Sequence, residues 1–414
     1  MPGFELTGAT PKCHGSSTQR VVEPGETLAR VLPHLGAMGI TRVAVLTGLD
    51  DIGIDTVAVT RPNSRGVSVA QGKGSSLVAA KVSGIMEAVE HYHAERITRP
   101  LVLATLAELS IERRAVDVAQ LPRFVQAFHP DRRILWIEGS ELRSGVNLWV
   151  PFDLVHLDFS LPLPDGSGCF LMGSSGLASG NHRLEAACHG IYELIERDAV
   201  TLFYRRGAEE QWRRRVDPAS VDDPSCLGLL ARYAAADVDV AIWDATTDIG
   251  VACFLCSVID RRSNPFRPVG AATGAGCHLS RGVALARALS EAAQSRLTRI
   301  AGARDDLQAS QLDQLRSLEA RERSRAQMGP SGFPQRSFAS VPEGALDTFE
   351  ADIERLYARL ERAGLQQVIG VDLSLCRFPV HVVRMIIPGL EGFSEIPGYQ
   401  PGARARALSE VTAR

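Results

Sequence analysis

The sequence predicts an α+β fold with antiparallel or mixed sheets and three long helices. Helical and strand-like segments intermingle along the 414 residues, without the sustained strand–helix–strand rhythm of a doubly wound parallel sheet. Three segments combine the length of long helices with apolar residues at helical spacing. A chain of this length can bury a large core, either in two or three domains or in one large elaborated domain.

Helices are predicted where apolar residues recur three and four positions apart. Thr27 is the expected N-cap of the first helix, because a threonine side chain can accept a hydrogen bond from a free N–H of the first turn. The second, third and fourth helices are the long ones, and each carries polar residues within an apolar run. The predicted helices cover residues 27–39, 76–95, 182–204, 283–300 and 346–364.

Short apolar runs predict the strands. These strands are expected at residues 40–47, 56–60, 237–246, 250–260, 366–374 and 380–389, and the third and fourth of them are expected to form a meander. The remaining segments are polar, mixed, or rich in glycine and proline, which favours loops. They comprise an irregular arm (1–22), a polar connector (61–76), a mixed region (100–150), a loop (151–180), a glycine-rich turn region (268–282), a mobile polar insertion (302–345) and a polar tail.

Composition excludes several classes of protein. The net charge of −3 gives no electrostatic case for binding nucleic acid or an anionic membrane surface. No stretch approaches the roughly 20 apolar residues that cross a bilayer, and the N-terminal residues lack the pattern of a signal peptide. A cytoplasmic protein is therefore expected.

Cysteine and histidine spacing does not favour a metal site. Cys253 and Cys256 form the one CxxC, but they lie in a predicted strand, where positions three apart point to opposite faces. Buried free thiols are the favoured interpretation. His91 and His93 diverge on a helix, so a metal pair there is the less favoured alternative.

Acidic residues form a stripe on each of the first two long helices. Glu185, Glu193 and Glu196 lie on one side of the helix at 182–204, together with His189 and Tyr192. On the helix at 76–95, Glu87 and Glu90 are neighbours, with Ser83 one turn earlier and His91 alongside. Such a stripe is either a solvated edge or a site for divalent cations. Spacing alone favours the solvated edge, but the absence of lysine among these acids favours external cations.

Two further patterns leave alternatives open. Lys73 lies in a Gly-Lys-Gly-Ser-Ser segment before a helix, where anions are favoured, although the full phosphate-loop spacing is missing and a flexible turn is the simpler interpretation. Arg287, Glu291 and Gln294 share one face of the third long helix. They could form an ordinary surface ion pair or could contact a nucleotide, and spacing does not decide between these.

In chain order, these segments resemble the YcaO family of ATP-dependent enzymes that modify peptide backbones. The matching stretches are GKGSSLVAAKVSGIMEAVEH, SSGLASGNHRLEAACHGIYELIERDA, GAGCHLSRGVALARALSEAAQSR and VVRMIIPGLEGF, between Lys73 and Phe393. The resemblance implies a YcaO-type fold in which glutamates coordinate the Mg²⁺ ions that hold ATP. It also implies one elaborated domain over 1–414, with an N-terminal subdomain (1–60), an ATP- and Mg²⁺-binding core (61–301), the polar excursion (302–345) and a C-terminal region (346–414).

Carried over by position, the resemblance assigns residues to this site. The implied metal ligands are Glu87, Glu90, Glu185, Glu193 and Glu196. The implied nucleotide-binding residues are Lys73, Ser83, Asn181, Arg197, Arg287, Glu291 and Gln294, with Thr27 and either Arg20 or Lys12 as a hydroxyl and basic pair near the N-terminus.

The resemblance also implies a reaction. A nucleophile adds to a peptide carbonyl, the resulting oxyanion takes the γ-phosphoryl group of ATP, and phosphate then leaves. Relatives that form azolines commonly end in a proline-rich PxPxP tail, whereas Pro397 and Pro401 are sparse and not terminal here. The N-terminal half resembles instead the subgroup that works with a TfuA-like partner. Thioamide formation from an external sulfur donor is therefore favoured over azoline or amidine formation.

Other interpretations stay open. A catalytically silent peptide-binding scaffold would not need the carboxylate cluster, and an unrelated metal-dependent hydrolase would act without ATP. The resemblance also favours a peptide substrate and a homodimer.

Overall fold

The α+β fold class is confirmed. The computed structural model describes residues 8–14, 18–124, 128–262, 269–302, 304, 310, 314, 317–330 and 332–412. Every strand ladder within these ranges is antiparallel, and the ladders form sheets of two, three, four and six strands. Long helices pack against the three larger sheets.

The strands follow the predicted order, with additional ones in the mixed and loop regions. They are β1 (Cys13–His14), β2 (Gln19–Arg20), β3 (Arg42–Val45), β4 (Asp55–Thr60), β5 (Val69–Gly74), β6 (Leu101–Ala104), β7 (Ile134–Glu141), β8 (Asn147–Pro151), β9 (Leu177–Gly180), β10 (Arg215–Val216), β11 (Val238–Asp244), β12 (Ala252–Asp260), β13 (Ala272–His278), β14 (Ile369–Asp372) and β15 (His381–Ile386). The three-stranded sheet is β3-β4-β5 and the four-stranded sheet is β10-β11-β12-β13. The six-stranded sheet has the order β6-β7-β14-β15-β9, with β8 also paired to β7.

The three predicted long helices are present, and shorter helices surround them. The α-helices are α1 (Pro24–Val31), α2 (Leu77–Ala94), α3 (Leu106–Ser110), α4 (Arg183–Tyr204), α5 (Ala208–Trp212), α6 (Pro224–Ala235), α7 (Arg281–Ala301), α8 (Leu318–Gln327), α9 (Phe349–Arg362) and α10 (Ala403–Thr412). No helix among the described residues has both the length and the apolar character that spanning a bilayer requires.

Helix α2 lies unusually close to strand β5. A Cβ atom at Gly72 would lie 2.1 Å from the carbonyl oxygen of Ala80, and one at Gly74 would lie 2.6 Å from the backbone nitrogen of Ala80. The strand needs glycine at both positions because the helix backbone occupies the space of a side chain. The same glycines made this stretch look like a connector, and the prediction of a loop over 61–76 is therefore wrong for residues 69–74.

Helix α7 rests on strand β13 in the same way. A Cβ atom at Gly274 would lie 2.3 Å from the backbone nitrogen of Ala292, and one at Gly276 would lie 2.1 Å from the carbonyl oxygen of Ala284. The glycine-rich region at 268–282 was predicted to be a turn. The structure corrects this prediction, because residues 272–278 form the strand that carries α7.

Helix α4 crosses the six-stranded sheet at β15 and β9. A Cβ atom at Gly190 would lie 2.6 Å from Cγ of Met385, and one at Gly180 would lie 2.9 Å from the backbone nitrogen of Ala186. Each of the three long helices is thus held close to a sheet by glycines. This close approach brings the polar stripes of α2, α4 and α7 towards one another.

Several other predictions need comment. The first helix begins at Pro24 with Glu23 as N-cap, so Thr27 is not the N-cap but lies one turn inside α1. The tail is not all polar coil, because α10 occupies its end. Cys253 and Cys256 are buried free thiols, as predicted. In the polar excursion, α8 is helical, and much of the segment 303–316 lies outside the described residues.

Candidate functional site

A cavity of about 640 Å³ opens where α2, α4 and α7 face one another. The acidic stripes of α2 and α4 both line it, so they do not face open solvent on separate surfaces. The cavity also receives residues from α1, β2, β5 and β9. Of the residues that the sequence predicted, it is lined by Arg20, Thr27, Lys73, Ser83, Glu87, Glu90, Asn181, Glu185, Glu193, Glu196, Arg197, Arg287, Glu291 and Gln294.

Lys12 is the predicted residue that does not line this cavity. Its side chain is buried in an ion pair with Asp352, and its Nζ also donates to the backbone oxygen of Leu346 at 2.7 Å. Lys12 therefore fastens the N-terminal segment to α9. Of the two alternatives for the basic residue near the N-terminus, Arg20 is the one at the cavity.

Glu185 connects the N-terminal segment to α4. Its side chain is 2% exposed and lies 3.3 Å from Nη1 of Arg20. Oε2 of Glu185 accepts a hydrogen bond of 2.8 Å from the backbone N–H of Val21. Beside it, Nδ2 of Asn181 donates to Oγ1 of Thr27 at 2.9 Å. These contacts bring the N-terminal residues against the start of α4 and complete one wall of the cavity.

Glu193 contacts both a loop and its own helix. Its Oε2 accepts a hydrogen bond of 3.2 Å from the backbone N–H of Gly176. Its Oε1 lies 3.3 Å from Nη2 of Arg197, one turn further along α4. Glu196, on the same side of the helix, has no basic partner within 4 Å among the described residues, and burial raises its pKa to about 6.

Glu87 and Glu90 are the most perturbed acids in the cavity. Burial raises the pKa of Glu87 to about 7 and that of Glu90 to about 8. Oγ of Ser179 donates to Oε1 of Glu90 at 2.7 Å, but no ion pair involves either glutamate among the described residues. Desolvation favours the protonated form, and it outweighs the attraction of Lys73 for Glu87 and of Arg20 for Glu90. A bound divalent cation would reverse this preference.

The cavity is also lined by basic and amide groups. Nζ of Lys73 lies 2.6 Å from Oε2 of Glu291. Burial would raise the pKa of Glu291, but Lys73 and Arg197 outweigh it and the pKa is lowered. Nε of Arg287 and Oε1 of Gln294 are buried and have no hydrogen-bond partner among the described residues. Both atoms are therefore available to a polar ligand in the cavity.

The carboxylates of the cavity fit Mg²⁺, and its guanidinium groups fit the phosphates of a nucleotide. Mg²⁺ commonly uses one or two carboxylates, with water and phosphate oxygens completing its coordination. Within the described ranges, no three His, Cys, Asp or Glu side chains form a ready-made metal cage. The carboxylates of this cavity fit Mg²⁺ when phosphate oxygens and water complete its coordination. The guanidinium groups of Arg197 and Arg287 suit the phosphates themselves.

The structure also places residues that sequence reasoning missed or misplaced. Ser179 contacts Glu90 directly, although no pattern in the sequence predicted a role for it. Glu395, from the segment before α10, also lines the cavity, and no pattern in the sequence pointed to it. Tyr192 was grouped with the acidic stripe of α4, but its hydroxyl instead donates to Oδ2 of Asp352 at 3.0 Å.

His91 and His93 occupy different environments, as their spacing predicted. His91 lines the cavity, where burial lowers its pKa to about 4. His93 is buried against Phe378, with the ring centroids 5.5 Å apart. The two rings thus face different surroundings, His91 the cavity and His93 the core.

Comparison with known proteins identifies relatives of this chain. A family model described as YcaO cyclodehydratase, ATP- and Mg²⁺-binding, matches residues 71–391. An uncharacterized protein in the tfuA 3′ region of Rhizobium leguminosarum bv. trifolii is 38% identical over 378 residues. That alignment covers 90% of this chain and 88% of the relative.

Solved structures share the fold. YcaO from Methanopyrus kandleri, bound with AMPPCP and Mg²⁺, matches with a TM-score of 0.73 and 22% identity, over 95% of this chain and 100% of that one. A heterocyclase in complex with substrate and cofactor matches with a TM-score of 0.76 and 23% identity over 95% of this chain. This chain spans 56% of that heterocyclase. The family match confirms the predicted cofactors, ATP and Mg²⁺.

Proposed function

The chain belongs to the YcaO family, and from this membership and the geometry of the cavity we propose that it converts a backbone amide of a peptide to a thioamide, using ATP to activate the amide oxygen. The observation that carries the proposal is that one cavity holds both buried acids and buried polar groups without direct partners. Glu87, Glu90 and Glu196 form no ion pair within 4 Å among the described residues, and burial raises their pKa values. Nε of Arg287 and Oε1 of Gln294 lack hydrogen-bond partners in the same part of the chain.

Each side of the cavity has a distinct proposed role. Glu87, Glu90, Glu193 and Glu196 would hold Mg²⁺, with Glu185 in the same acidic group. The residues proposed to contact the nucleotide are Arg20, Thr27, Lys73, Ser83, Asn181, Arg197, Arg287, Glu291 and Gln294. When bound, Mg²⁺ supplies charge neutralisation for the phosphates.

The chemistry needs positioning more than a reactive side chain. Hydrosulfide, or a donor that delivers it, adds to the amide carbon, and the oxyanion formed takes the γ-phosphoryl group of ATP. Loss of phosphate then leaves a C=S bond in place of C=O, with ADP and phosphate as the other products. Arg197 and Arg287 would stabilise the charge that moves onto the transferred phosphoryl oxygens.

One observation favours the thioamide over an azoline. One relative is named for its position in a tfuA 3′ region, which supports a TfuA-like partner for this chain as well.

The product can be identified by mass. The purified protein is incubated with ATP, Mg²⁺, sulfide, the TfuA-like protein and the candidate precursor peptide encoded nearby. A thioamide raises the peptide mass by about 16 Da, and the proposal expects this together with release of ADP and phosphate. A loss of about 18 Da would identify an azoline and overturn the thioamide assignment. An unchanged peptide with no ADP would favour a binding scaffold.

The assembly state is a separate part of the proposal. A homodimer is proposed from the resemblance to the family, and the TfuA-like protein is proposed to bind it. Light scattering of the chain with and without that protein tests both. A monomer at all concentrations would contradict the homodimer.

A further inference from the structure

A second, apolar crevice lies next to the cavity and shares Arg197 with it. The segment 172–177 lies between the two spaces. Ser174 and Leu177 line the cavity, whereas Met172 and Ser175 line the crevice, which has a volume of about 60 Å³. A ligand in the crevice would therefore lie beside whatever occupies the cavity.

The walls of this crevice are mainly aliphatic. They come from the segment before β9, from α4, from β15 and the residues that follow it, and from the segment before α10. The side chains that matter here are Leu171, Met172, Leu194, Met385, Leu390 and Ile396. Such walls suit an apolar side chain, whereas a small hydrated anion would make no use of them.

Three charged side chains line the crevice, those of Arg197, Glu391 and Arg384. The Glu391 carboxylate already accepts hydrogen bonds from the Tyr399 hydroxyl and from two backbone N–H groups. Arg384 is 3% exposed, yet no carboxylate lies within ion-pair distance of it among the described residues. Its Nη2 donates to the backbone oxygen of Gly173. Its Nε and Nη1 have no hydrogen-bond partner within the described part of the chain. A guanidinium can donate five hydrogen bonds, so Arg384 is available to a ligand that brings acceptor oxygens.

From these contacts we infer that the crevice binds a residue of the peptide substrate that flanks the modified amide. Its apolar side chain packs against Leu171, Met172 and Met385, and a backbone carbonyl oxygen accepts hydrogen bonds from Arg384. A peptide residue supplies both the apolar group and the acceptor, which a simple anion does not. This inference rests on the proposed function, because it assumes that the activated amide faces the neighbouring cavity.

Methionine methyl groups report on the two sites separately. Met172 and Met385 line the crevice, Met86 lines the cavity, and Met38 is buried elsewhere. In protein labelled with ¹³C at the methionine methyls, N-acetyl-glycyl-leucinamide should shift the signals of Met172 and Met385 in a saturable way. N-acetyl-glycyl-serinamide should bind at least about ten-fold more weakly, because it lacks the apolar side chain. Met38 is the reference.

Two variants test the roles of the polar and apolar parts. Arg384→Met removes the hydrogen-bond donors and keeps an apolar side chain of similar length. It should weaken the binding of the leucine peptide at least about five-fold. Ile396→Trp fills the crevice from a half-buried position without touching Arg384, so it covers the case in which the first variant fails to fold. It should abolish the shifts of Met172 and Met385.

The outcomes separate this inference from the proposed function. Mg²⁺ with AMPPCP should shift Met86, and failure of that response counts against the proposed function alone. If Met86 responds but the leucine peptide leaves Met172 and Met385 unchanged, the peptide subsite is overturned. It is also overturned if acetate alone shifts these two signals as strongly as the leucine peptide does, because the crevice would then be an anion site.

Discussion

Lys73 on β5 and Glu291 on α7 form an ion pair in the cavity wall, with Nζ 2.6 Å from Oε2. Two other basic residues of the cavity are engaged in the same manner, Arg20 with Glu185 and Arg197 with Glu193. These three basic groups of the cavity are thus already paired with acids. Binding of Mg·ATP must exchange these partners, so that phosphates take the cations and Mg²⁺ takes carboxylates.

Removing one proposed metal ligand should remove nucleotide binding without unfolding the protein. Glu87→Gln and Glu193→Gln are each expected to weaken Mg·ATP binding at least about 100-fold, or about 2.7 kcal/mol, because glutamine carries no charge for Mg²⁺. Isothermal titration calorimetry measures the affinity, and circular dichroism checks the fold. The matched control is Glu209→Gln, an exposed helical glutamate paired with Arg213 outside the cavity. Unchanged affinity in both cavity variants would contradict the metal role.

Binding of Mg·ATP should release protons near neutral pH. Burial raises the pKa of Glu87 to about 7 and that of Glu90 to about 8 in the metal-free protein. A cation requires the charged form, so affinity should rise between pH 6 and 9 and then level off, with about 1.4 protons released at pH 7. Calorimetry in buffers of different ionisation enthalpy measures the release. Binding enthalpy that is the same in every buffer would contradict this prediction.

The stability of the metal-free protein should change with pH in the opposite direction. A carboxyl group whose folded pKa is raised contributes stability that is complete below its unfolded pKa, about 4.5. That contribution is lost as the pH rises through the folded values, about 7 and 8. The midpoint temperature of thermal unfolding of the metal-free protein should therefore fall from pH 5 to pH 8. In Glu87→Gln, part of the pH dependence of stability should disappear. An unaltered pH profile of stability would contradict the raised pKa of Glu87.

The close contact of α7 with β13 gives a test of packing. In Gly276→Ala the new Cβ atom would lie 2.1 Å from the carbonyl oxygen of Ala284, and backbone atoms cannot move aside cheaply. We expect a loss of more than about 3 kcal/mol in the free energy of unfolding, measured with denaturant. Gly48→Ala is the control, because nothing lies within 4 Å of its Cβ position, and it should change stability by less than about 0.5 kcal/mol. Equal effects would refute the packing argument.

The last helix should detach when its buried ion pair is broken. Nε of Arg404 lies 3.0 Å from Oδ1 of Asp198, which is fully buried on α4. Arg404→Ala leaves that carboxylate without its cation, and breaking such a pair costs about 3–5 kcal/mol. Limited proteolysis should then cut the segment 392–402 faster. Arg406→Ala, at an exposed position on the same helix, should leave the cleavage rate unchanged, and matching rates in the two variants would argue against the anchor.

How far the sequence predicts this molecule depends on the kind of signal. The long helices were found because apolar spacing is a local property, and α2 runs from Leu77 to Ala94 almost as predicted. The polar faces of α4 and α7 were also assigned correctly to a shared cavity, but through resemblance to a family. Spacing alone favoured a solvated edge for the glutamates of α4, because it does not show what another helix brings opposite to them.

The predictions failed where tertiary contacts decide the local structure or the position of a side chain. Strands β5 and β13 were missed because glycine usually marks turns, whereas here it allows a helix backbone to approach a strand. Ser179 and Glu395 reach the cavity through tertiary contacts that no local pattern encodes. The sequence offers Lys12 and Arg20 as equal alternatives for the basic residue near the N-terminus. The structure decides between them, because Lys12 is buried in an ion pair with Asp352.

The glycines beneath the long helices also make the molecule intolerant of small additions. A single methyl group at any of four glycines would clash with backbone atoms, so even alanine would push the helix away from the strand. These glycines are Gly72, Gly74, Gly274 and Gly276. In a saturation library selected for function, these four codons should be depleted of every alternative amino acid, alanine included. Such a depletion pattern would identify the close contacts of α2 with β5 and of α7 with β13 from the frequencies of the variants alone.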